Sequence, residues 1–222
     1  MSKEKQNIST NTTKNNINTN NQTSGSTSRP VESLPFPPLL PPQATVMCMG
    51  TFPPAADKRA MQFHYPNFQN DMWRVYGLIF FGDKEHFRKG EEKAFDADKI
   101  KAFLNEKGIA SCPTVWKAIR ERGNASDAFL TVVDPVHIDE VLSQMPNCKY
   151  IGTTGGKATE VLIELSTNKP KLPKTGDTIE LQFGERHIQL TRLPSTSRAY
   201  PLSLDKKAAA YEEFFRATGV LK

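Results

Sequence analysis

Residues 149–165 read KYIGTTGGKATEVLIEL. Lys149–Thr153 has the short apolar character of a strand, and the chain then turns on Gly155-Gly156. From Lys157 to Leu165 the apolar residues Ala158, Val161, Leu162 and Leu165 recur at helical spacing. A strand that turns through glycines into a helix is a unit of an α/β layer, and the rest of the chain repeats the alternation. Upstream, Thr45–Met49 (TVMCM) predicts a buried first strand ending at Gly50. Met72, Val75, Tyr76, Ile79 and Phe80 predict a helix that stops at Gly82. Asp96 is placed to cap a helix running to Glu106, with Gly108 behind it. Thr114–Arg122 reads as a further helix. Asp134-Pro135 reads as a cap followed by proline in the first turn of a helix that stops before Pro146. Downstream, Ile179, Leu181 and Phe183 alternate, as do Ile188 and Leu190 after the Gly184-Glu185 turn, which predicts a hairpin. A last helix runs from Leu204 to about Ala217. The class expected is an α/β layered sheet with helices on both faces.

The 222 residues hold 29 Lys plus Arg against 24 Asp plus Glu, but the balance is uneven. After residue 45 there are 25 basic and 22 acidic groups, so the predicted domain carries only +3 and composition alone demands no polyanion. No run approaches the roughly 18 apolar residues of a bilayer span, so no membrane association is expected. Residues 1–29 are almost entirely Asn, Thr, Ser, Gln and Lys, which bury too little apolar area to offset ordering, and they lack the apolar stretch of a secretory signal. The Asn7-Ile8-Ser9 triplet is read as composition. Pro35–Pro42 (PFPPLLPP) is a polyproline-like arm expected to lie across the domain. The division expected is a disordered tail and Pro-rich arm over 1–43 and one domain over 44–222. Three scattered cysteines, Cys48, Cys112 and Cys148, suggest a reducing compartment. His64, His86, His137 and His187 show no metal-ligand spacing, and neither metal nor cofactor is expected.

Four segments could carry chemistry. Gly152-Thr-Thr-Gly-Gly-Lys-Ala158 resembles a phosphate loop, but it has three residues where a Walker A motif has four, and Ala158 where a Mg²⁺-binding hydroxyl belongs. Nucleotide hydrolysis is therefore not expected. The turn is either a plain strand-to-helix connection or a helix N-terminus that lines a ligand cleft. Met49–Pro54 and Leu193–Pro201 each follow a predicted strand, where loops of an open α/β sheet converge on a ligand. The second of these offers hydroxyls and N–H donors beside Arg198, a set that suits a phosphodiester. Phe63–Trp73 (FHYPNFQNDMW) mixes aromatic rings and amides that could stack on and hydrogen-bond a base. Asn70 in it is equally suited to capping the helix that follows, and Phe63 and Trp73 to packing in the core.

Taken in order, Gly50-Thr-Phe-Pro-Pro54, the aromatic–Pro–Asn–x–x–Trp loop, Gly108-Ile-Ala, the strand with Gly155-Gly-Lys-Ala158, and Leu193-Pro-Ser-Thr-Ser197 resemble the uracil-DNA glycosylase superfamily. The branches most similar are the mismatch-specific and hypoxanthine-type DNA glycosylases, and the likeness runs from about Val46 to Phe215. The resemblance implies a three-layer α/β/α sandwich with a short, mainly parallel sheet, and DNA bound at the strand carboxyl ends. It implies that Gly50, Thr51, Phe52 and Pro53 shape the base pocket and that Phe63 stacks on the flipped base. Asn70 takes the place of the catalytic amide, Thr154 and Gly155 flank the base, and Lys157 with Ser195, Thr196, Ser197 and Arg198 meets the DNA backbone and the gap left in the duplex. Four positions depart from the family pattern. Thr51 and Phe52 stand where several branches carry a water-positioning Asp or Asn, Leu193 where His or Asn is frequent, and Thr154 where an asparagine contacts the base. Asn70 is thus the main catalytic candidate, with Asp57 and Thr51 behind it.

The activity implied is monofunctional hydrolysis of the N-glycosidic bond of a deaminated or mismatched base, uracil or hypoxanthine, in double-stranded DNA. The enzyme is expected to be a monomer, cytoplasmic and associated with the nucleoid, or nuclear in a eukaryote. Two other readings stay open: a catalytically weak or inactive DNA-binding, damage-sensing relative, and a small-molecule nucleotide-binding domain resting on the Gly155-Gly156-Lys157 turn alone.

Overall fold

Buried apolar segments build the centre of the molecule, seen in a computed structural model that describes residues 29–121 and 129–222. In chain order the elements are β1 (Glu32–Ser33), β2 (Val46–Met49), α1 (Met72–Phe81), α2 (Ala97–Lys107), β3 (Ile109–Ser111), β4 (Val115–Arg120) and β5 (Leu130–Pro135). They continue with α3 (Ile138–Ser143), β6 (Tyr150–Thr154), α4 (Gly156–Leu165), β7 (Thr178–Phe183), β8 (Arg186–Leu193) and α5 (Leu204–Ala217). The tail expected over 1–29 lies outside the described residues up to position 28.

The main sheet has the order β3-β2-β6-β8-β7. Its first four strands are parallel, and β7 closes the edge as an antiparallel hairpin with β8. Alternate residues of β2 serve opposite faces, as the two-residue period of a strand requires. Val46 and Cys48 join a core with α1, α2 and α5, whereas Met47 and Met49 join one with α3 and α4. Both faces are covered, so the strands read as continuous apolar runs. The fold is the α/β/α arrangement expected, with a mainly parallel sheet.

Helix ends follow the sequence closely. The Asp96 carboxylate accepts the Asp98 and Lys99 N–H groups at the start of α2, and Gly108 closes it with φ +64°. At the end of α1, Gly82 takes φ +67° and the chain folds back so that Asp83 N–H reaches Gly77 O at 3.2 Å. A Cβ at Gly77 would overlap the Asp83 carbonyl oxygen. Gly77→Ala is therefore expected to destabilise the protein by about 2 kcal/mol, as overpacking against backbone does. A denaturant titration checks this, and an unchanged midpoint would refute it.

Two predicted helices change. Val115–Arg120 is a strand, paired antiparallel with β5 and with β1 in a separate three-stranded sheet. Its register shifts around Lys117, so Val115 and Ala118 both face one small core with Leu130 and Val161. A bulge thus mimics the three-residue spacing of a helix face. The end of that predicted helix, Arg122, lies outside the described residues. Asp134 and Pro135 belong to β5, where the Asp134 carboxylate meets Lys117 at 3.3 Å; α3 begins only at Ile138, after His137. The strand β3 is an addition to the sequence reading, since three residues are too few to show alternation. The Pro-rich arm lies across the domain before Ala44. Glu32–Ser33 pairs with β4, Leu34 N–H donates to Trp116 O at 2.7 Å, Phe36 is buried, and Leu39 bridges to Ser111.

Candidate active site

The carboxyl ends of β2, β3, β6 and β8 open onto one cleft of about 680 Å³. This volume is typical of a small-molecule or nucleotide pocket. Gly50, Thr51, Phe52 and Pro53 form one wall, and Asn70, Thr154 and the lip Ser195, Thr196, Ser197 and Arg198 line the same space. Ten of the residues named from sequence are thus brought together around a single space.

The first wall is held from below. Gly50 O and Thr51 O accept the Thr114 and Val115 N–H groups. Arg120 of β4 donates to Pro53 O, its guanidinium lies 5.3 Å from the Phe52 ring centroid, and Glu32 from the arm pairs with its Nε at 2.8 Å. The arm therefore reaches the cleft wall through one buried arginine.

Tyr65 lines the cleft beside Thr154, together with the rings of Phe52, His64 and Tyr200. Its Oη lies 3.2 Å from Thr154 Oγ1, and its ring meets Trp73 edge-on at 6.0 Å. The residue has φ +51°, an uncommon value for a non-glycine residue. Gly50 makes room for it, because a Cβ there would stand 2.9 Å from Tyr65 Oη. Phe63, the ring expected to do the stacking, is 2% exposed and off the cleft, packed between His64 at 4.6 Å and Trp73 at 5.9 Å. Apolar neighbours draw Phe63 inward, while the tyrosine, two residues on, keeps its hydroxyl toward the polar space.

Asn70 caps the start of α1 and also lines the cleft. Its Oδ1 accepts Met72 N–H at 2.9 Å, satisfying a free donor at the start of α1, and the residue still lines the cleft. The turn beneath it is fixed by Arg74, which donates to Phe68 O at 2.7 Å and Asn70 O at 3.2 Å while lying over the Phe68 and Phe95 rings. Asp57 is not part of this assembly. It sits on the Ala56–Lys58 turn with an exposed carboxylate 3.3 Å from Lys58. Gly155 and Lys157 line an adjoining hollow of about 480 Å³ with Arg192, which meets the main cleft at Thr154, Ser195 and Tyr200.

Sequence reading named the loop that carries His64 and Tyr65 but singled out Phe63 in it, and it missed Ser111. His64 is buried at the cleft wall with Nδ1 2.8 Å from Ser111 Oγ, and burial pushes its imidazole down to about 4. The imidazole is neutral at pH 7. Cys112 also lines the cleft, but burial pushes its thiol up to about 12, so it offers no thiolate. Among the described residues that line the cleft there is no lysine, aspartate or glutamate, and Arg198 is the one permanent cation. No group of three or more His, Cys, Asp or Glu side chains converges among the described residues.

No protein-family model and no curated protein matches the sequence. Among solved structures, the chain is similar to the solution NMR structure of a candidate uracil DNA glycosylase from Methanosarcina acetivorans. The two share 19% identity with a TM-score of 0.57, over 83% of this chain and 96% of that one. At that identity the likeness speaks to architecture, and the architecture agrees with the layers described above: this chain has a uracil-DNA-glycosylase-like fold.

Proposed function

We propose that the protein is a monofunctional DNA glycosylase that extrudes a deaminated or mismatched base, uracil or hypoxanthine, and hydrolyses its N-glycosidic bond. The observation that carries this reading is the juxtaposition of the Asn70 amide, the Tyr65 ring and the Ser195–Arg198 lip around one cleft at the strand carboxyl ends. A base stacked in a duplex is out of reach, so the nucleotide must be flipped, at a cost of a few kcal/mol that a mispair lowers. Tyr65 stacks on the flipped base, and the Thr154 hydroxyl, 3.2 Å from Tyr65 Oη, meets its polar edge. The C1′–N bond breaks with its electron pair leaving on the base. Water held by Asn70 adds to the electron-poor C1′, and its proton passes to solvent or to the departed base. Asn70 is a poor general base, so the bond must be largely broken before water adds. The lip residues, with Arg198, contact the backbone and the vacated position. Because no lysine lines the cleft among the described residues, no Schiff base forms and the strand is left intact.

One observation favours a second reading. The cleft carries no carboxylate among the described residues, which would suit a catalytically weak, damage-sensing relative. Labelled duplexes carrying U, T or hypoxanthine opposite each base, incubated with the protein and then treated with alkali, separate the two. Breakage at the odd base supports the glycosylase. Binding to these duplexes without any alkali-labile site supports the sensor. Tyr65→Ala is expected to lower kcat/KM about tenfold, within the 1–3 kcal/mol that a base–aromatic stack contributes. Phe63→Leu is expected to leave it nearly unchanged, and equal losses from the two would reject Tyr65 as the stacking ring.

A further inference from the structure

Lys207 lies in the first turn of α5 and its side chain is 1% exposed. Neither feature is favourable for a lysine. The positive end of a helix disfavours a cation, and burial removes the amine from water. A buried ion pair is also a weak source of stability, since apolar groups of similar volume commonly do as well. The place of Lys207 must be sought in what it joins. Its Nζ pairs with Asp71 Oδ2 at 2.9 Å and donates to Ser197 O at 2.8 Å. Asp71 is the residue after Asn70; its N–H donates to Thr196 O at 2.9 Å and its Oδ1 lies 3.5 Å from Arg198 Nε. A second anchor from the same helix, the Tyr211 hydroxyl, donates to Pro194 O at 3.0 Å. The Asn70 loop and the Ser195–Arg198 lip both line the cleft, meet at the Asp71 N–H, and are tied together by one buried ammonium group.

We propose that Lys207 is a positioning residue, which together with Asp71 fixes the distance and orientation of the Asn70 amide relative to the lip that enters the duplex. The assignment rests on the glycosylase reading for its consequence on base release, but the lock itself does not. Lys207 touches neither base nor sugar. It acts by holding two adjoining segments, far apart in sequence, in one register. A shift of about 1 Å between such segments is enough to lower the rate of a positioned reaction on the order of 100-fold. Without Lys207, the Asp71 carboxylate loses its 2.9 Å ammonium partner, and Ser197 O loses the Nζ donor beside the Tyr200 N–H that it also accepts at 3.1 Å.

The test uses the full chain, with Lys207→Met and the double variant Lys207→Met/Asp71→Leu. The double variant leaves no unpaired buried charge, so it carries the test if the single variant does not fold. The first measurement is amide hydrogen exchange. In both variants exchange over residues 67–72 and 194–201 is expected to rise at least tenfold, with the β2 and β6 amides unchanged. The second is single-turnover release of the base from the duplex on which the wild type is active, expected to fall at least tenfold in kcat with a smaller change in KM. The double variant should regain the wild-type unfolding midpoint without regaining the rate. A double variant with wild-type exchange over 194–201 and a wild-type rate would show that the pair only fills space and would overturn the proposal. If the wild type releases no base from any duplex, the glycosylase reading fails, and the exchange result still decides whether the lock exists.

Discussion

Asn70→Ala is expected to lower base release on the order of 10³-fold, the range seen when a positioned catalytic group is removed. The same change costs about 1 kcal/mol of stability, because Oδ1 also accepts Met72 N–H at the start of α1. The two losses are separable. Asn70→Asp keeps an acceptor for Met72 N–H, so its unfolding midpoint should return to that of the wild type. Its rate should stay low, because a carboxylate lacks the amide N–H donors and repels the departing anionic base. Single-turnover assays and thermal unfolding on the three proteins check the pattern. A rate for Asn70→Ala within threefold of the wild type would leave Asn70 as a helix cap only. Thr51, which lines the same cleft, would then be the next position to test.

The pattern of what was legible in the sequence has physical causes. Strands β2 and β6 and helices α1, α2, α4 and α5 were readable because each ends in chemistry with one local solution: a capping Asp96, a left-handed Gly82 or Gly108, a glycine turn at 155–156. Two segments were misread: Asp134-Pro135, which ends β5 instead of opening a helix, and β4, where a bulge at Lys117 restored three-residue spacing in an extended chain and no local feature separates the two cases. In the site, loops that follow a strand were found because topology places them at one end of the sheet. Which ring of Phe63, His64 and Tyr65 enters the cleft was not legible. An irregular loop has no period, and the outcome depends on Gly50 and Thr154, both distant in sequence from Tyr65. Asp57 was misplaced for the same reason. Lys207 was hidden because one lysine in an amphipathic helix looks like any other until its partners at positions 71 and 197 are seen.

His64 predicts how this site responds to acid. Its imidazole is buried and held down to about 4, against an ordinary value near 6.5, chiefly by desolvation and against a smaller opposing effect of the Pro37 carbonyl. In the unfolded chain the ring takes up a proton as pH falls through 6.5, whereas in the folded chain it does so only near 4. Between those values the unfolded state binds more protons, so stability falls as pH falls. Above 6.5 the ring is neutral in both states and nothing is lost; below 4 the loss is complete, at about 3 kcal/mol. Surface carboxylates also titrate toward the lower end of this window, so the comparison must be made with His64→Gln. Unfolding free energies measured by denaturant at intervals from pH 7 to pH 4 should fall by about 3 kcal/mol more in the wild type than in the variant. Parallel curves would mean that the imidazole is reached by solvent in the folded state. The consequence for the cleft follows from chain connectivity: His64 precedes Tyr65, and its ring is anchored to Ser111 at 2.8 Å. A proton forced onto that ring must be solvated, and the least costly way is to open the 63–70 loop, which carries both Tyr65 and Asn70 out of register. Base release should therefore decline as pH approaches 4, where the folded ring takes up its proton, and the decline should be absent in His64→Gln.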